Sequence, residues 1–473
     1  MSKTTSRVRS AKIELYRQKG KIHPRAVAGR FNTLRWALVW LTQIVFYGGA
    51  WLTWDNRQAL LLDIAHEKFY FFGLVLWPQD ALLLAIVLIV AATGLFFATA
   101  LAGRLFCGFA CPQTVYTSIF MWIEAKIEGD HLARLRLDQS PFGPRKLLLR
   151  TVKHGIWALV AGWTAITFVG YFTPIRELLP SLAQGSFGPW EGFWLLFYGL
   201  FTYVQAGLAR EAVCQHMCPY SRFQGVMIDA GTRNVSYDVA RGEPRNPGRG
   251  REAKGGAAAG AGDCVDCGIC VEVCPTGIDI RDGAQYQCIN CGLCADACDE
   301  VMLKVGKPVG LIRFASERQL AGRQPAPPYR RPRVLIYAGL LAACTLLGVW
   351  TLAERPLVRV DVLRDRGALL RETAEGGVEN AYTLKIANLA EFAQEFEIAV
   401  DGIPGLQIVG PTRHAAASGR VQPLQVTLSA PHSGESSESS GPELRGAQPI
   451  RFTIVSTRNP ATRTVEKSTF VLP

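Results

Sequence analysis

Several well-known cofactor motifs are absent from this chain of 473 residues. It has no Cys-x-x-Cys-His motif for covalent haem, no phosphate-binding Walker loop, and no glycine-rich dinucleotide fingerprint after a strand. We therefore expect no covalent haem, flavin or nicotinamide site, and an electron donor that is external. The first apolar run is too long for a secretory signal peptide. No cysteine follows Cys344, which excludes a disulfide from the remaining segment.

Apolar residues make up 49% of the chain, and the mean hydropathy of +0.14 is high for a soluble protein. The net charge of +12 fits contact with anionic lipid and the positive-inside rule, so we expect membrane lipid as a partner and no nucleic acid. Five runs are close to the ~20 apolar residues that cross a bilayer. These predicted spans are Trp36–Trp54, Ala81–Leu105, Val152–Phe172, Trp190–Leu208 and Val334–Leu352. A shorter run, Phe69–Trp77, is expected to lie at the membrane interface.

Basic residues alternate between the connecting segments in a way that predicts the orientation. The N-terminal arm, the loop after the second span and the segment before the fifth are rich in Lys and Arg, whereas the loops after spans one and three are poor in them. Positive segments stay in the cytoplasm. We therefore expect a multi-pass protein of the bacterial inner membrane, with a cytoplasmic N-terminus and a periplasmic C-terminal domain. Twelve of the thirteen cysteines then lie on or near the reducing side.

A doubled cysteine run is the most specific motif. It reads Cys264-x-x-Cys267-x-x-Cys270-x-x-x-Cys274-Pro, followed by Cys288-x-x-Cys291-x-x-Cys294-x-x-x-Cys298. In such runs the fourth cysteine binds the other cluster. The spacing predicts two [4Fe–4S] clusters, one on Cys264, Cys267, Cys270 and Cys298, the other on Cys288, Cys291, Cys294 and Cys274. Zinc is disfavoured because its sites close with four ligands, and disulfides because they need an oxidising compartment.

A second thiol motif occurs twice, at the ends of spans two and four. Cys107-Gly-Phe-Ala-Cys111-Pro and Cys214-Gln-His-Met-Cys218-Pro share the pattern Cys-x-x-x-Cys-Pro. The i,i+4 spacing predicts that both sulfurs of a pair lie on one helical face, and the proline predicts a turn at the second cysteine. Soft thiolates select Cu(I), zinc or iron–sulfur clusters. Packing cysteines and a regulatory disulfide remain alternatives. His216 is a further candidate donor, whereas Met217 is expected to pack against lipid or helix.

Composition changes along the chain predict a multi-domain membrane protein. After Arg355, short alternating runs predict a small antiparallel β-sandwich. Its predicted strands are Leu357–Leu363, Tyr382–Ile386, Phe396–Val400, Val421–Leu428 and Ile450–Val455, with Ser433–Ser440 as an exposed loop.

The expected segments are a cytoplasmic basic arm (1–33), four transmembrane helices with a cytoplasmic loop (34–210), the second thiol motif (211–241), a flexible Gly/Ala-rich linker (242–263), an α+β ferredoxin-like insert with two clusters (264–312), a basic segment with the fifth helix (313–353), and an Ig-like domain (354–473).

These motifs together resemble the FixG/CcoG/RdxA family of bacterial cytochrome oxidase accessory proteins. The resembling segments are Lys21–Phe31, Cys107–Glu124, Phe172–Leu178, Cys214–Asp229, Ser236–Arg245, Cys274–Gly283 and Cys288–Met302, besides the C-terminal domain, which looks like the family's Ig-like periplasmic domain. The long Gly/Ala linker looks like a local elaboration.

The resemblance implies a role in assembling a cbb3-type haem–copper oxidase, by reduction of Cu(II) to Cu(I) on the cytoplasmic side. Cys107, Cys111, Cys214 and Cys218 would bind and reduce copper, and the eight ferredoxin cysteines would relay electrons from an external cytoplasmic donor. The oxidase and copper chaperones or transporters are the implied partners. Two other functions stay open: a respiratory polyferredoxin that passes quinol-derived electrons to a periplasmic reductase, and a scaffold whose clusters are structural or redox-sensing.

Overall fold

The structure is a computed structural model. It describes residues 22–245, 262–324, 327–365, 370–372, 377–419, 421–431 and 446–473. Most of the basic arm, most of the Gly/Ala linker and the predicted loop Ser433–Ser440 lie outside these residues. Contacts divide the chain into two compact units: unit 1 comprises Met1–Asp63 and Leu88–Cys344, and unit 2 comprises Ile64–Val87 and Thr345–Pro473.

Most helices of the chain belong to unit 1. Two of them, α2 and α14, begin in one unit and end in the other. The helices are α1 (Arg30–Gly49), α2 (Ala81–Ala102), α3 (Leu105–Phe109), α4 (Pro112–Glu128), α5 (His131–Gln139), α6 (Pro144–Val169), α7 (Ile175–Gln184), α8 (Pro189–Thr202), α9 (Pro219–Met227), α10 (Val239–Gly242), α11 (Ile269–Glu272), α12 (Leu293–Lys304), α13 (Glu317–Leu320) and α14 (Pro332–Ala353). Two π-helical segments, Tyr203–Ala209 and Val213–Met217, follow α8.

Among the described helices, four are long and apolar enough to cross a membrane: α2, α6, α8 with its π-helical extension, and α14. They coincide with four of the five predicted spans. α1 is not among them, because polar residues such as Asn32, Arg35 and Gln43 lower the mean hydropathy of this 20-residue helix, and its crossing stays a prediction. Its predicted end is wrong, because the helix stops at Gly49 and Trp54 lies in a strand.

Charged side chains are buried where α4, α6 and the π-helical segment pack. Lys153 Nζ lies 2.7 Å from Glu128 Oε1, and Arg210 Nη2 lies 2.7 Å from Glu124 Oε2. All four residues are at most 5% exposed. A lone charge in this position would be strongly destabilising, so the pairing is what permits its burial. The network was not predicted, although charged residues near apolar spans are a known sign of interior contacts.

The strands of unit 1 are short. They are β1 (Thr53–Trp54), β2 (Arg57–Gln58), β3 (Leu60–Asp63), β6 (Asn234–Tyr237) and β7 (Ile312–Ala315). β6 pairs antiparallel with β7, so a strand before the linker closes against one after the cysteine runs. Buried Val235, Leu311 and Met302 pack with cysteines of the two runs. We call this part of unit 1, residues 234–237 and 264–315, the ferredoxin lobe.

Unit 2 is the predicted sandwich. Its strands are β4 (Lys68–Phe71), β5 (Leu74–Leu76), β8 (Val358–Arg364), β9 (Arg371–Glu372), β10 (Val378–Asn388), β11 (Gln394–Asp401), β12 (Gln407–Val409), β13 (Arg413–Ala416), β14 (Val421–Ala430), β15 (Gly446–Ser456) and β16 (Arg463–Leu472). One antiparallel sheet has the order β12-β14-β10-β8 with β9 on β10, and the other has the order β13-β11-β15-β16. Period-two alternation buries Tyr382, Leu384, Phe396 and Phe452 between them. Four of the five predicted strands fall within these elements, and the fifth, Leu357–Leu363, begins one residue before β8.

The apolar run Phe69–Trp77 is not the interfacial piece that its composition predicts. Its first part forms the hairpin β4–β5. Trp77 donates from Nε1 to the backbone oxygen of Leu389 at 3.1 Å, and both are buried with Val75. The run is apolar because it extends the core of the sandwich domain.

Candidate functional site

The eight ferredoxin cysteines line two neighbouring cavities in unit 1. The first cavity is lined by Cys264, Cys267, Cys270 and Cys298. The second is lined by Cys274, Cys288, Cys291 and Cys294, and also by Cys270, which lines both cavities. The structure thus groups the cysteines as the spacing predicts, with the fourth cysteine of each run at the other run's cavity.

Two glycines explain how each run bends around its cavity. Gly268 and Gly292 have φ of +71° and +75°, a left-handed conformation that glycine adopts without a steric penalty. Each glycine directly follows the second cysteine of its run and is the N-cap of a helix, α11 for Gly268 and α12 for Gly292. The chain reverses there and places Cys270 and Cys294 in the first helical turn.

The donor set fits a pair of cubanes. Among the described residues, no three His, Cys, Asp or Glu side chains are placed to hold a single metal ion. A cubane needs a different arrangement, because each of its four irons takes a separate thiolate. Burial raises the pKa of Cys270 to about 11 and the pKa values of Cys288 and Cys298 to about 12. These thiols are therefore protonated at neutral pH until a metal replaces the proton.

The first Cys-x-x-x-Cys-Pro motif is split between two helices. Cys107 lies within α3, whereas Cys111 has extended backbone angles and precedes Pro112, the first residue of α4. The prediction of one helical face is therefore wrong for this pair. The proline explains why, since it disfavours helical geometry at the residue before it.

Cys107 packs on an apolar cluster that includes residues lining the second cavity. It shares an apolar cluster with Cys291 and Cys294. Gln224, which is fully buried, donates from Nε2 to the Cys107 sulfur at 3.4 Å. Burial raises the pKa of Cys107 to about 11, although the Gln224 hydrogen bond opposes this shift. The first motif is thus in direct contact with the ferredoxin lobe.

The second Cys-x-x-x-Cys-Pro motif lies in the π-helical segment Val213–Met217. Cys214 is inside this segment, and Cys218 leaves it with extended angles before Pro219. Burial raises the pKa of Cys214 to about 12. π-Helical turns often occur at functional sites. His216 and Met217 are exposed on this turn.

The four thiols of the two motifs share one region of unit 1. The pKa of Cys214 is raised further by the other three sulfurs, and that of Cys111 by Cys218. Among the described residues, no three of these side chains are placed to hold one metal ion. The four sulfurs are thus near enough to interact electrostatically, and a shared metal site stays a prediction.

Two polar residues that the sequence did not point to connect the motif to the ferredoxin lobe. Arg104 donates from Nη1 to the backbone oxygen of Cys288 at 3.3 Å and from Nη2 to the backbone oxygen of Ser221. Asn290 accepts from Val235 N at 2.9 Å and donates to the backbone oxygen of Ala102 at 3.3 Å. The only hint in the sequence is that Arg104 stands at the end of an apolar span.

Family models match three regions of the chain. Residues 209–317 match a 4Fe-4S dicluster domain, and residues 84–128 match a 4Fe-4S binding domain. Residues 348–473 match the IG-like fold at the C-terminus of FixG, putative oxidoreductase. Together with the apolar helices and the two cysteine-lined cavities, these matches define a membrane-bound iron–sulfur electron-transfer protein.

Two relatives that match most of the chain identify the family within this class of protein. The nitrogen fixation protein FixG of Rhizobium meliloti is 35% identical over 87% of this chain and 86% of that protein. Protein RdxA of Cereibacter sphaeroides is 38% identical over 83% of this chain and 85% of that protein. The chain belongs to the FixG/RdxA family. The ferredoxin-type protein NapH of Haemophilus influenzae is 25% identical over 40% of this chain and 66% of that protein.

Proposed function

We propose that this protein reduces Cu(II) to Cu(I) for the assembly of a cbb3-type cytochrome oxidase. Copper is the substrate, and Cys107, Cys111, Cys214 and Cys218 bind it. Copper chaperones or transporters receive the product. The observation that carries the proposal is that Cys107 packs on the same apolar cluster as Cys291 and Cys294, with the neighbouring Gly108 against the Cys291 backbone, which puts a copper-binding thiol near the cysteine lining of an iron–sulfur cavity.

The chemistry of the thiols favours this direction of electron flow. Thiolate ligands stabilise Cu(I) over Cu(II), because a soft ligand prefers the softer ion. The two sets of four cysteines hold two [4Fe–4S] clusters, which supply one-electron transfer when bound. One electron converts one copper ion. Gln224 and Arg104 are positioning residues here, since Gln224 holds the Cys107 sulfur and Arg104 binds the Cys288 backbone.

The proposal places the thiols and clusters in the cytoplasm and the sandwich in the periplasm, as the charge distribution predicts. Unit 2 supports this topology. It contains both the segment before α2 and the segment after α14, so both flanks belong on one side of the membrane. At the other ends of these helices, Arg331 donates to the backbone oxygen of Ala100 at 2.8 Å. We propose that the exported sandwich docks a partner protein.

Substitution of the four motif cysteines tests the function. The variant Cys107→Ser, Cys111→Ser, Cys214→Ser, Cys218→Ser is purified without oxygen and its iron is counted. The protein is then reduced with dithionite and freed of excess dithionite by gel filtration. Formation of Cu(I) after addition of Cu(II), called dithionite-driven below, is followed with a Cu(I)-specific chelator. We expect about eight irons per chain and loss of Cu(I) formation. Cys344→Ser in α14 is the matched control, because it removes a thiol outside the motifs. Full Cu(I) formation by the fourfold variant would refute the proposal.

A second function is favoured by the relatives of the NapH type, which share the membrane ferredoxin part. In that case the protein passes quinol-derived electrons to a periplasmic reductase system. The two functions differ in their need for copper. A respiratory carrier would support its reductase in membranes stripped of copper, whereas an assembly factor would only be required while new oxidase is being made.

A further inference from the structure

One cavity of unit 1 with charged and polar residues on its wall has not been assigned a role above. It has a volume of about 630 Å³ and lies between α1, α4, the start of α5 and the ferredoxin lobe. None of the proposed cluster or copper ligands lines it. Its size is within the range of ligand-binding pockets.

Both hydrogen-bond donors and acceptors face this cavity. Arg35 is only 6% exposed, and its buried Nε has no hydrogen-bond partner among the described residues. His131 interacts through Nδ1 with the backbone oxygen of His23. Since a carbonyl oxygen only accepts, Nδ1 carries the proton and Nε2 of the neutral ring is an acceptor. A ligand with a hydroxyl or carbonyl at each end of a ring would satisfy both groups.

The cavity also borders one of the cysteine sets. Pro275, next to Cys274, and Leu293, next to Cys294, form part of its wall. Arg35 interacts electrostatically with Cys291 and Cys274. A ligand in the cavity would thus lie one residue away from proposed cluster ligands.

An apolar groove continues from the cavity along the helices. It has a volume of about 840 Å³ and is lined by α1, α4 and α6. Trp36, Val39 and Trp122 line both the cavity and the groove. Leu159, on the groove, is 73% exposed and so borders the lipid region of the bilayer in the proposed topology. The two spaces together suit a molecule with a compact polar head and a long apolar tail.

We propose that this cavity binds a membrane quinol, and that the quinol is the electron donor of the protein in place of a cytoplasmic redox partner. A phospholipid has the same overall shape, but its phosphate only accepts hydrogen bonds. The charges on the cavity wall are mixed, with Arg25, Arg35 and Arg134 beside the carboxylates of Asp130 and Glu272. The distinction therefore rests on Nε2 of His131, which needs a hydrogen-bond donor that a phosphodiester does not offer. A quinol head is neutral and both donates and accepts.

The reaction balances with copper as the oxidant. One quinol loses two protons and two electrons to become a quinone, and two Cu(II) ions become two Cu(I) ions. Nε2 of His131 takes the first hydroxyl proton and passes it to water, and the second proton leaves by the same route. The electrons leave through the wall formed by Pro275 and Leu293. The inference rests on the proposed electron relay, but not on the identity of the final acceptor.

Binding is tested directly with an azidoquinone that is photo-crosslinked to the purified, cluster-loaded protein and mapped by mass spectrometry. We expect labelled peptides from α1, α4 or α5, and competition by unlabelled quinone. Leu159→Trp fills the groove and should reduce labelling by at least about tenfold. Leu196→Trp is the matched control, since Leu196 is 72% exposed on α8 and lines neither space. Labelling that maps elsewhere, or that phospholipid abolishes, would overturn the proposal.

A pair of substitutions at His131 tests the role of its Nε2 atom as the acceptor of the quinol proton. His131→Asn keeps a donor for the His23 oxygen and removes Nε2, whereas His131→Gln keeps a distal polar group. We expect the Asn variant to slow the quinol-driven loss of iron–sulfur absorbance by about a hundredfold, with a smaller effect for Gln. Dithionite-driven Cu(I) formation should be unchanged in both. Equal quinol-driven rates in the three proteins would refute the quinol site, and loss of the dithionite-driven reaction in wild type would refute the copper function instead.

Discussion

Gly108 lies directly against the backbone of Cys291. A Cβ atom built on Gly108 would stand 3.0 Å from Cys291 Cα and 2.8 Å from the backbone oxygen of Ile289. Backbone atoms cannot rotate away as a side chain can, so this close approach requires glycine. The residue following the first motif cysteine is thus what allows the thiol pair and the ferredoxin lobe to touch.

The substitution Gly108→Ala should separate these two parts. We expect a loss of stability of about 1–3 kcal/mol from overpacking, together with slower Cu(I) formation at unchanged iron content. Gly155→Ala in α6 is the control, because a Cβ there meets no atom within 4 Å. Chemical unfolding and stopped-flow kinetics measure the two effects. Wild-type rates in the Gly108 variant would show that the contact is not used.

Single cysteine substitutions should remove one cluster at a time. Cys298→Ser takes a ligand from the first cavity although it belongs to the second run, and Cys274→Ser does the converse. With the interlocked ligation, Cys298→Ser should give the same residual paramagnetic resonance spectrum as Cys264→Ser. Cys274→Ser should instead match Cys288→Ser. If instead the spectrum of Cys298→Ser matched that of Cys288→Ser, and that of Cys274→Ser matched that of Cys264→Ser, each run would bind its own cluster and our assignment would be wrong.

Asp296 of α12 acts as a helix cap for α1. Its carboxylate accepts from Phe31 N at 3.1 Å and from Asn32 N at 2.8 Å. Because Gly29 offers no side chain for this purpose, Asp296→Ala should leave two amide groups unsatisfied. We expect a loss of about 1.5–3 kcal/mol. Limited proteolysis near residue 29 should become faster in Asp296→Ala, whereas Asp299→Ala, whose carboxylate accepts from Gly310 N, should not change it.

The sandwich should lose stability in alkali because of Tyr382. Burial raises the pKa of Tyr382 to about 12, above the value near 10 of an unfolded tyrosine. Because the pKa is higher in the folded state, the neutral hydroxyl contributes fully to the free energy of unfolding below about pH 10. This contribution, about 2–3 kcal/mol, is lost as the pH rises from about 10 to 12. Scanning calorimetry of the full chain over this range measures the loss.

Tyr382→Phe is the control for the alkaline effect. It should remove much of the pH dependence above pH 10, but lower the stability at neutral pH by about 1 kcal/mol. The neutral loss arises because the hydroxyl donates to the backbone oxygen of Thr469 at 2.8 Å. An unchanged alkaline transition in the Phe variant would assign the effect to another group.

Patterns with a short period were predictable without coordinates. The spacing of Cys264 to Cys298 predicted two sets of four, and the alternation in the C-terminal segment predicted the strands. The end of α1 and the fate of the run Phe69–Trp77 were not predictable, because an apolar run has the same composition in lipid and in a domain core. The helical face expected for Cys107 and Cys111 is absent, whereas the turn expected from Pro112 is present, because the steric effect of proline on Cys111 outweighs the i,i+4 spacing.

Local sequence alone thus determined which cysteines form two sets of four, which helices are apolar and which C-terminal runs are strands, because each of these depends on neighbours a few residues apart. Only the tertiary structure decided that Cys107 shares a cluster with Cys291 and Cys294, that Gln224 binds the Cys107 sulfur, and that Arg35 and His131 line one cavity. These residues are separated by tens to hundreds of positions. Their proximity results from packing of whole helices and lobes, which no local spacing encodes.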